Sequence, residues 1–265
     1  MIYFLGGLPR SGNTLLSSIL NQNPEIYSSQ SSPLLPSLME LHNKRYNEGL
    51  SISGDFELNF KNSIDAFVNG FYSNIKKPII IDRNKEWARA DAVELAKLYI
   101  SKDPKIIFSV RNILDVLSSF INILGKNHSY VDQMANDFGF QKYGKLTQDD
   151  VRCDFLMSPY GHVFRCMNAL SQSINSGYNI HLVDYDDLMS NPSLTIKSIH
   201  NFLEIDNYDY AFDNIKKIEV DKDHLTGLPE NMHKVRPKLE KTSIPYQDTL
   251  SDYVIGKYSN LEFWK

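Results

Sequence analysis

Short apolar runs alternate with amphipathic segments along most of the chain. The first run, IYFLGGL at residues 2–8, ends in glycines, and the segment NTLLSSILNQNP at 13–24 follows it. In that segment apolar positions recur at helical spacing until the Asn-Pro dipeptide stops the pattern. The order predicts a strand, a loop and a helix at the start of the chain.

The same unit recurs three times, because the runs KPIIID (77–82), KIIFSV (105–110) and NIHLVDY (179–185) each precede a helical pattern. Continuous apolar strands that alternate with helices are typical of a parallel sheet covered on both faces. We therefore predict a three-layer α/β fold with a central parallel sheet flanked by helices. Such sheets bind ligands at the carboxyl ends of their strands. The loops after residues 8, 82, 110 and 184 are expected to share that edge.

Two helical stretches with poorer strand patterns, at about residues 32–75 and 127–177, separate these units. Both contain polar, turn-rich sequence, and we interpret them as insertions over the edge that carries the loops. A chain of 265 residues fits one large domain with insertions, so a single domain over residues 1–265 is predicted. The basic, proline-punctuated tail after about residue 218 is expected to wrap the surface.

Composition and charge narrow the classes of function. A net charge of -4 disfavours a broad nucleic-acid footprint. No apolar stretch reaches the ~18 residues of a membrane span. Cys153 and Cys166 form neither a C-x-x-C pair nor a zinc-like spacing, and reduced thiols are typical of cytosolic proteins. A strand at residue 2 leaves no room for a targeting segment, so we predict a cytoplasmic protein. We expect it to bind neither nucleic acid nor a metal ion.

The loop GLPRSGNT at residues 7–14 has the frame of a phosphate-binding P-loop, but Asn13 occupies the position of the motif's lysine. Backbone N–H groups and the helix dipole favour an anion at this helix start, and Ser11 and Thr14 add hydroxyl donors. The missing lysine is the group that reaches the β- and γ-phosphates of a nucleoside triphosphate. The nearest cation is Arg10, whose planar guanidinium can bridge a phosphate and the group beyond it.

GLPRSGNTLL resembles the 5′-phosphosulfate loop of sulfotransferases that use 3′-phosphoadenosine 5′-phosphosulfate (PAPS) as donor. The resemblance implies a donor-binding loop that consists of Pro9, Arg10, Ser11, Gly12, Asn13, Thr14 and Leu15. The family binds the 3′-phosphate with an arginine at a strand end and a serine eight residues later. FSVRNILDVLSSF matches this pattern with Arg111 and Ser119, and Ser118 is the alternative serine. Asn112 is expected to cap the helix between them.

Two further segments extend the resemblance, which covers residues 2 to about 240. VDYDDLMSNP is similar to the family's Tyr-acid-Asp-Leu segment and implies that Tyr185 lies near the adenine. MHKVRPKL resembles a basic segment that the family returns to the 3′-phosphate. Its candidates are His233, Lys234 and Arg236, and a basic surface tail is the alternative.

The resemblance implies in-line transfer of a sulfuryl group from PAPS to an acceptor hydroxyl or amine, which leaves the bisphosphate PAP and needs no metal. Arg10 is expected to stabilise the departing 5′-phosphate oxygen. Arg83, after the strand PIIID, matches a basic residue that family members place against the sulfate.

The general base departs from the family pattern. Small-molecule sulfotransferases have a histidine two residues after the basic strand-end residue, where this chain has Lys85. We expect Asp82 to be the base, with its pKa lowered by neighbouring arginines. Glu86 and His128 are the runners-up.

The rival interpretation is a P-loop kinase or nucleoside triphosphatase, because PIIID resembles a strand that ends in a Mg²⁺-holding aspartate. A non-catalytic protein that kept the fold is a second rival. Under the favoured interpretation the partners are a nucleotide co-substrate and an acceptor that is a carbohydrate, lipid, phenol or peptide tyrosine. The oligomeric state stays open.

Overall fold

The computed structural model describes residues 1–47, 54–125, 129–216, 235–240 and 244–265. Within them, five strands form one sheet: β1 Ile2–Gly7, β2 Ile26–Ser28, β3 Ile79–Arg83, β4 Ile106–Val110 and β5 Ile180–Asp184. All neighbouring strands pair in parallel, in the order β2-β3-β1-β4-β5. The predicted α/β fold with a central parallel sheet is confirmed.

Helices cover both faces of this sheet. They are α1 Asn13–Leu20, α2 Leu34–Asn47, α3 Gly54–Phe71, α4 Ala90–Tyr99, α5 Ile113–Leu124, α6 Tyr130–Asp137, α7 Gln148–Leu156, α8 His162–Asn175, α9 Tyr185–Ser190, α10 Pro192–Leu203 and α11 Asp252–Tyr258. The predicted insertions correspond to α2 with α3 and to α6 through α8. That these belong to one domain stays a prediction.

Strand alternation divides the apolar side chains between two buried layers. Leu5, Ile81 and Ile107 pack with α1 and α10 on one face of the sheet. Phe4 and Ile106 point to the opposite face and pack with α4 and its neighbours. Each such side chain stabilises the fold by roughly 1.5–3 kcal/mol when it leaves water. The long apolar runs of the sequence therefore reflect strands that are buried on both faces.

One strand was absent from the sequence-based prediction. β2 has only three residues and pairs with β3 at the edge of the sheet. A run this short shows no period of its own, and its partner is distant in sequence, so local pattern could not reveal it.

The sheet brings the loops that follow the four predicted strands to one edge, as expected, because the strands run in parallel. The chain leaves β1 toward β2 on one side and leaves β4 toward β5 on the other. Ligands of open α/β sheets bind where the strand order reverses in this way. The loops after β1 and β4 therefore flank the favoured position for a ligand.

Candidate active site

A cavity of about 680 Å³ opens at this edge of the sheet. It brings together most of the predicted site residues, namely Pro9, Arg10, Gly12, Asn13, Thr14, Leu15, Arg83, Arg111, Ser119, Tyr185 and Arg236. Ser11 and Asp82 are buried beside the cavity and are not on its wall. His233, Lys234 and the runner-up base His128 lie outside the described residues.

The loop between β1 and α1 is held by its own side chains. The Ser11 hydroxyl donates to the carbonyl of Leu8 at 2.6 Å, and the Asn13 amide donates to the same carbonyl at 2.8 Å. Asn13, at the position of the P-loop lysine, thus stabilises the conformation of the loop through a buried hydrogen bond. Arg10 adopts a left-handed φ of 63°, which is unusual for a residue with a side chain. Such strain is often found at functional sites.

Arg10, Arg111 and Ser119 meet although they come from three different elements. The Arg10 Nε donates to Ser119 Oγ at 3.1 Å, and Arg111 Nη1 donates to the Arg10 carbonyl at 2.9 Å. Ser118 also lines the cavity, so both serines remain near the site. The two predicted phosphate-binding motifs therefore form one continuous wall.

Arg111 is held between a backbone and an aromatic ring. Its guanidinium lies 4.3 Å from the centre of the Tyr185 ring, an arrangement that favours a cation. The same ring lies against Gly12, where an added Cβ would come within 3.0 Å of it. Arg111 is 6% exposed, and its Nε has no hydrogen-bond partner within the described part of the chain. A buried donor without a partner is costly, so an anion here would be favourable.

The helix that carries Ser119 begins as predicted. The Asn112 side chain accepts hydrogen bonds from the backbone N–H groups of Leu114, at 3.0 Å, and Asp115, at 3.2 Å. This cap fixes the start of α5 directly after Arg111. Ser119 follows eight residues later, about two helical turns, and thus returns to the same side of the helix as its start.

Asp82 does not fit the role of general base. It is opposite Phe4 in the strand register and is fully buried. Its carboxylate accepts hydrogen bonds from the Tyr72 hydroxyl at 2.5 Å, from Trp87 Nε1 at 2.6 Å and from the Ser32 hydroxyl. Strand alternation turns it away from the cavity that its neighbour Arg83 lines. The expectation that Asp82 faces the acceptor is therefore corrected.

The pKa of Asp82 also differs from expectation. Burial raises it above its usual value, while the hydrogen bonds from Ser32, Tyr72 and Trp87 act in the opposite direction. The expected lowering by arginines is wrong, because the carboxylate is buried and the neighbouring Arg83 faces the cavity on the other side of β3. This position also removes the main support for a kinase, since a Mg²⁺-holding carboxylate would have to face the phosphate loop.

The end of β3 contributes two cations to the cavity. Arg83 lines it, and its Nη1 donates to the carbonyl of Gln30 in the loop after β2. The Arg83 backbone N–H donates to Ser29 Oγ at 2.8 Å, which ties the two loops together. Lys85 also lines the cavity. The expected basic group at this strand end is present.

His162, the first residue of α8, was not singled out from the sequence. It lines the cavity, and its Nδ1 lies 3.3 Å from the Nζ of Lys85. Burial, together with the positive charges of Lys85 and Arg165, lowers the pKa of His162 to about 4. No local motif pointed to it, because it is distant from Lys85 in sequence and only the packing of α8 brings the two together.

The remaining carboxylate candidate is engaged elsewhere. Glu86 pairs with Arg89, Nη1 to Oε2 at 2.8 Å, and with Arg165.

In the described part of the chain, no group of three or more His, Cys, Asp or Glu residues could hold a metal ion. No described helix is long and apolar enough to cross a membrane.

Known proteins with similar sequences and folds identify the family. The model of the "Sulfotransferase family" matches residues 3–210. A putative protein-tyrosine sulfotransferase from Caenorhabditis briggsae is 25% identical over 209 residues, which are 77% of this chain and 65% of that protein. The chain thus spans slightly less than two thirds of this relative.

Solved structures support the same fold. A sulfotransferase domain from the curacin biosynthetic pathway superposes with a TM-score of 0.54 at 16% identity, covering 97% of this chain and 96% of that one. A mouse sulfotransferase complexed with PAP gives a TM-score of 0.52 at 15% identity, covering 97% and 81%. With the family model matching most of the chain, this protein belongs to the sulfotransferase family.

Proposed function

We propose that this protein transfers a sulfuryl group from PAPS to an acceptor hydroxyl or amine. One observation carries the proposal: a single cavity joins an anion-binding loop after β1 to a second, separate arginine after β4. A donor with phosphates at two ends of its ribose needs two such sites. A nucleoside triphosphate has its phosphates in one row and gives Arg111 no ligand. The mouse relative, whose structure is titled as a complex with PAP, agrees with this choice.

In the proposed complex, the backbone N–H groups at the start of α1 bind the 5′-phosphosulfate. Arg111 and Ser119 bind the 3′-phosphate, and Arg111 can offer a bidentate, charge-assisted contact. Tyr185 flanks the adenine. Arg236, exposed on the cavity wall, is the described part of the basic segment that we propose for the 3′-phosphate; His233 and Lys234 complete it.

The chemistry requires positive charge at two points of the reacting group. As the bond between sulfur and the bridging oxygen breaks, negative charge grows on the departing 5′-phosphate, and Arg10 is placed to stabilise it. Arg83 faces the sulfate from the end of β3. The Arg10 guanidinium is now hydrogen-bonded to Ser119, and donor binding would exchange this contact for contacts with phosphate oxygens.

The acceptor is a hydroxyl or amine of a carbohydrate, lipid, phenol or peptide tyrosine. The name of the nematode relative makes a tyrosine peptide one sensible member of a screen. We also propose a cytoplasmic location, with which the free, buried Cys153 and Cys166 agree.

Thermal unfolding with added nucleotides tests the donor. PAP is expected to raise the melting temperature, and ADP with Mg²⁺ is not, because ligand binding to the native state alone stabilises it. Arg111→Ala should weaken PAP binding by about 100-fold, the effect of one or two charge-assisted hydrogen bonds. Arg89→Ala is the matched control, because Arg89 lies outside the cavity and pairs with Glu86 and Asp91.

A melting shift with ADP and Mg²⁺ but none with PAP would overturn the proposal in favour of a phosphate-transfer enzyme. Transfer itself is measured with labelled PAPS and a panel of a tyrosine peptide, 2-naphthol, a hexosamine and a sterol. Arg10→Ala should abolish most turnover and weaken PAP binding to a smaller extent, because the proposed contact with a phosphate oxygen is lost in both cases. Unchanged turnover in that variant would refute the role given to Arg10.

A further inference from the structure

The β3 end of the cavity contains a pair of side chains to which the donor-binding scheme gives no role. His162 begins α8, and Lys85 follows β3 by two residues; both line the cavity that also contains Arg83. Nδ1 of His162 and Nζ of Lys85 are 3.3 Å apart. Neither an ion pair nor a buried core explains this contact, because both partners are basic groups.

The surroundings keep His162 neutral. Burial is the largest cause that lowers its pKa, and with the charges of Lys85 and Arg165 it brings the pKa to about 4. Among the described residues, Glu86 acts in the opposite direction, and it is engaged by Arg165 and Arg89. The imidazole also lies at the start of α8, where the helix dipole disfavours a cation. A neutral imidazole has one nitrogen with a lone pair that can accept a proton.

The contact itself defines which nitrogen has the lone pair. An ammonium group has only donors, so Lys85 donates to His162 and Nδ1 must accept. The proton of the neutral ring is then on Nε2. The basic nitrogen of His162 is thus covered by Lys85 while the cavity holds no donor.

Resting on the proposed function, we propose that His162 is the general base of sulfuryl transfer and that Lys85 covers its Nδ1 until donor sulfate draws the ammonium away. Lys85 is a positioning residue in this scheme. Lys85 is exposed to solvent in the open cavity, and the cavity walls around its ammonium lower its pKa by partial desolvation, so its charged form gains from a nearby anion. The sulfuryl group of PAPS, next to Arg83, supplies that anion.

In the transfer step, the acceptor oxygen forms a bond to sulfur as the bond from sulfur to the bridging oxygen breaks. The electron pair of the broken bond stays on the 5′-phosphate of PAP. The acceptor proton moves to Nδ1 of His162, and the imidazolium later releases it to water. The phosphate and sulfate charges favour this imidazolium, so the base becomes stronger when the donor is bound.

This scheme also explains the departure from the family pattern at residue 85. A lysine there cannot accept the proton, yet it can control a histidine that a different element supplies. The base would come from α8, not from the end of β3. Acceptors would be activated only after PAPS has bound, which limits wasteful proton transfer in the empty cavity.

The first test measures the ionisation of His162 by ¹⁵N NMR of labelled protein, with His162→Gln to assign the signal. We expect the Nε2–H tautomer and a pKa near 4 in the ligand-free protein. Lys85→Met should raise that pKa by about one unit or more, because a positive charge and a donor are lost. PAPS should raise it more than PAP does. An unchanged pKa in Lys85→Met or with PAPS would overturn the proposal.

The second test measures transfer of the sulfuryl group from labelled PAPS to the acceptor panel. Hydrolysis of PAPS by water is measured alongside it, as the PAP formed without acceptor. His162→Gln should keep the PAP-induced melting shift and lose about 100-fold or more in kcat, the usual contribution of a general base. Its residual activity should lose the acidic limb of the pH profile. In Lys85→Met that limb should move to higher pH.

The matched control is His181→Gln, because His181 is a half-buried histidine that is not on the cavity wall and bonds Ser198. It should retain the wild-type rate and pH profile. Wild-type kcat and pH profile in His162→Gln would refute the base while the sulfotransferase function stands. Absence of any PAP shift in the wild type would instead refute the donor assignment on which the proposal rests.

Discussion

The two walls of the cavity are built in different ways. The wall that we propose for the donor, the donor wall, is formed by Arg10, Arg111, Ser119 and Tyr185, which lie in loops that directly follow strands or in the helices that begin there. The β3 wall, formed by Arg83, Lys85 and His162, joins a strand end to a distant helix. The first is dictated by short-range geometry of the backbone, whereas the second depends on how α8 packs. The residues that we propose for the phosphates are therefore close to strand ends in the sequence, whereas the base that we propose, His162, is distant from the strand end that it faces.

The sharpest way to break this comparison is to remove Asp82. If it is a structural residue of β3, Asp82→Ala leaves the Trp87 N–H buried without an acceptor, together with one of the two hydroxyls of Ser32 and Tyr72, which still bond each other at 3.2 Å. Each such donor costs about 1–3 kcal/mol, so we expect a loss of about 3 kcal/mol or more in the free energy of unfolding. Urea unfolding measures it.

Asp82→Asn is the milder companion variant, because an amide keeps one acceptor oxygen in the same place. It should lose less stability than the alanine and retain most transfer activity at temperatures where it is folded. A stable Asp82→Asn that has lost transfer but still binds PAP would return Asp82 to the role of base and refute its assignment as structural.

The second prediction concerns stability against pH. In the unfolded chain a histidine takes up a proton as pH falls through about 6.5. In the folded protein His162 does so only near 4. The unfolded state therefore binds more protons between these values, and stability is lost as pH falls across this window. At about 1.4 kcal/mol per pKa unit, the loss of stability has an upper bound of about 3.5 kcal/mol.

His162→Gln should remove this part of the pH dependence, so its unfolding free energy should fall less than that of the wild type between pH 6.5 and 4. Lys85→Met should narrow the window, because one of the charges that lower the pKa is gone. If the unfolding free energies of wild type and His162→Gln changed in parallel with pH, folding would not lower the pKa of His162. That result would contradict the special environment that we assign to the β3 wall.

The sequence predicted which residues meet at the donor wall because each step has a local physical cause; that they bind the donor stays a prediction. A Gly-bounded loop after a buried strand must expose its N–H groups, and Asn112 caps a helix whose second turn returns Ser119 to Arg111. The same reasoning predicted four of the five strands. The short edge strand β2 has too few residues to show a period.

On the β3 wall the sequence could not choose between adjacent side chains. Asp82 and Arg83 differ by one position, and period-two alternation sends one into the core and the other into the cavity. Which of them faces the cavity depends on the pairing register with β1, which is a tertiary property. His162 was missed for a similar reason, because α8 alone gives no sign of where its first residue points.

The smallest expected effect is a difference in stability between two variants of Arg10, a residue of the donor wall. Arg10 has a left-handed φ of 63°, which costs a residue with a Cβ roughly 1–2 kcal/mol and a glycine almost nothing. Arg10→Ala keeps this strain and removes the guanidinium, whereas Arg10→Gly removes both. Because glycine also gains freedom in the unfolded chain, we expect Arg10→Gly to be more stable than Arg10→Ala by at most about 1 kcal/mol.

Both variants should lose transfer activity equally, since neither has the cation. If the glycine were the less stable of the two, the loop would not be strained at this residue. If only the alanine lost transfer, backbone shape and not charge would be what Arg10 contributes.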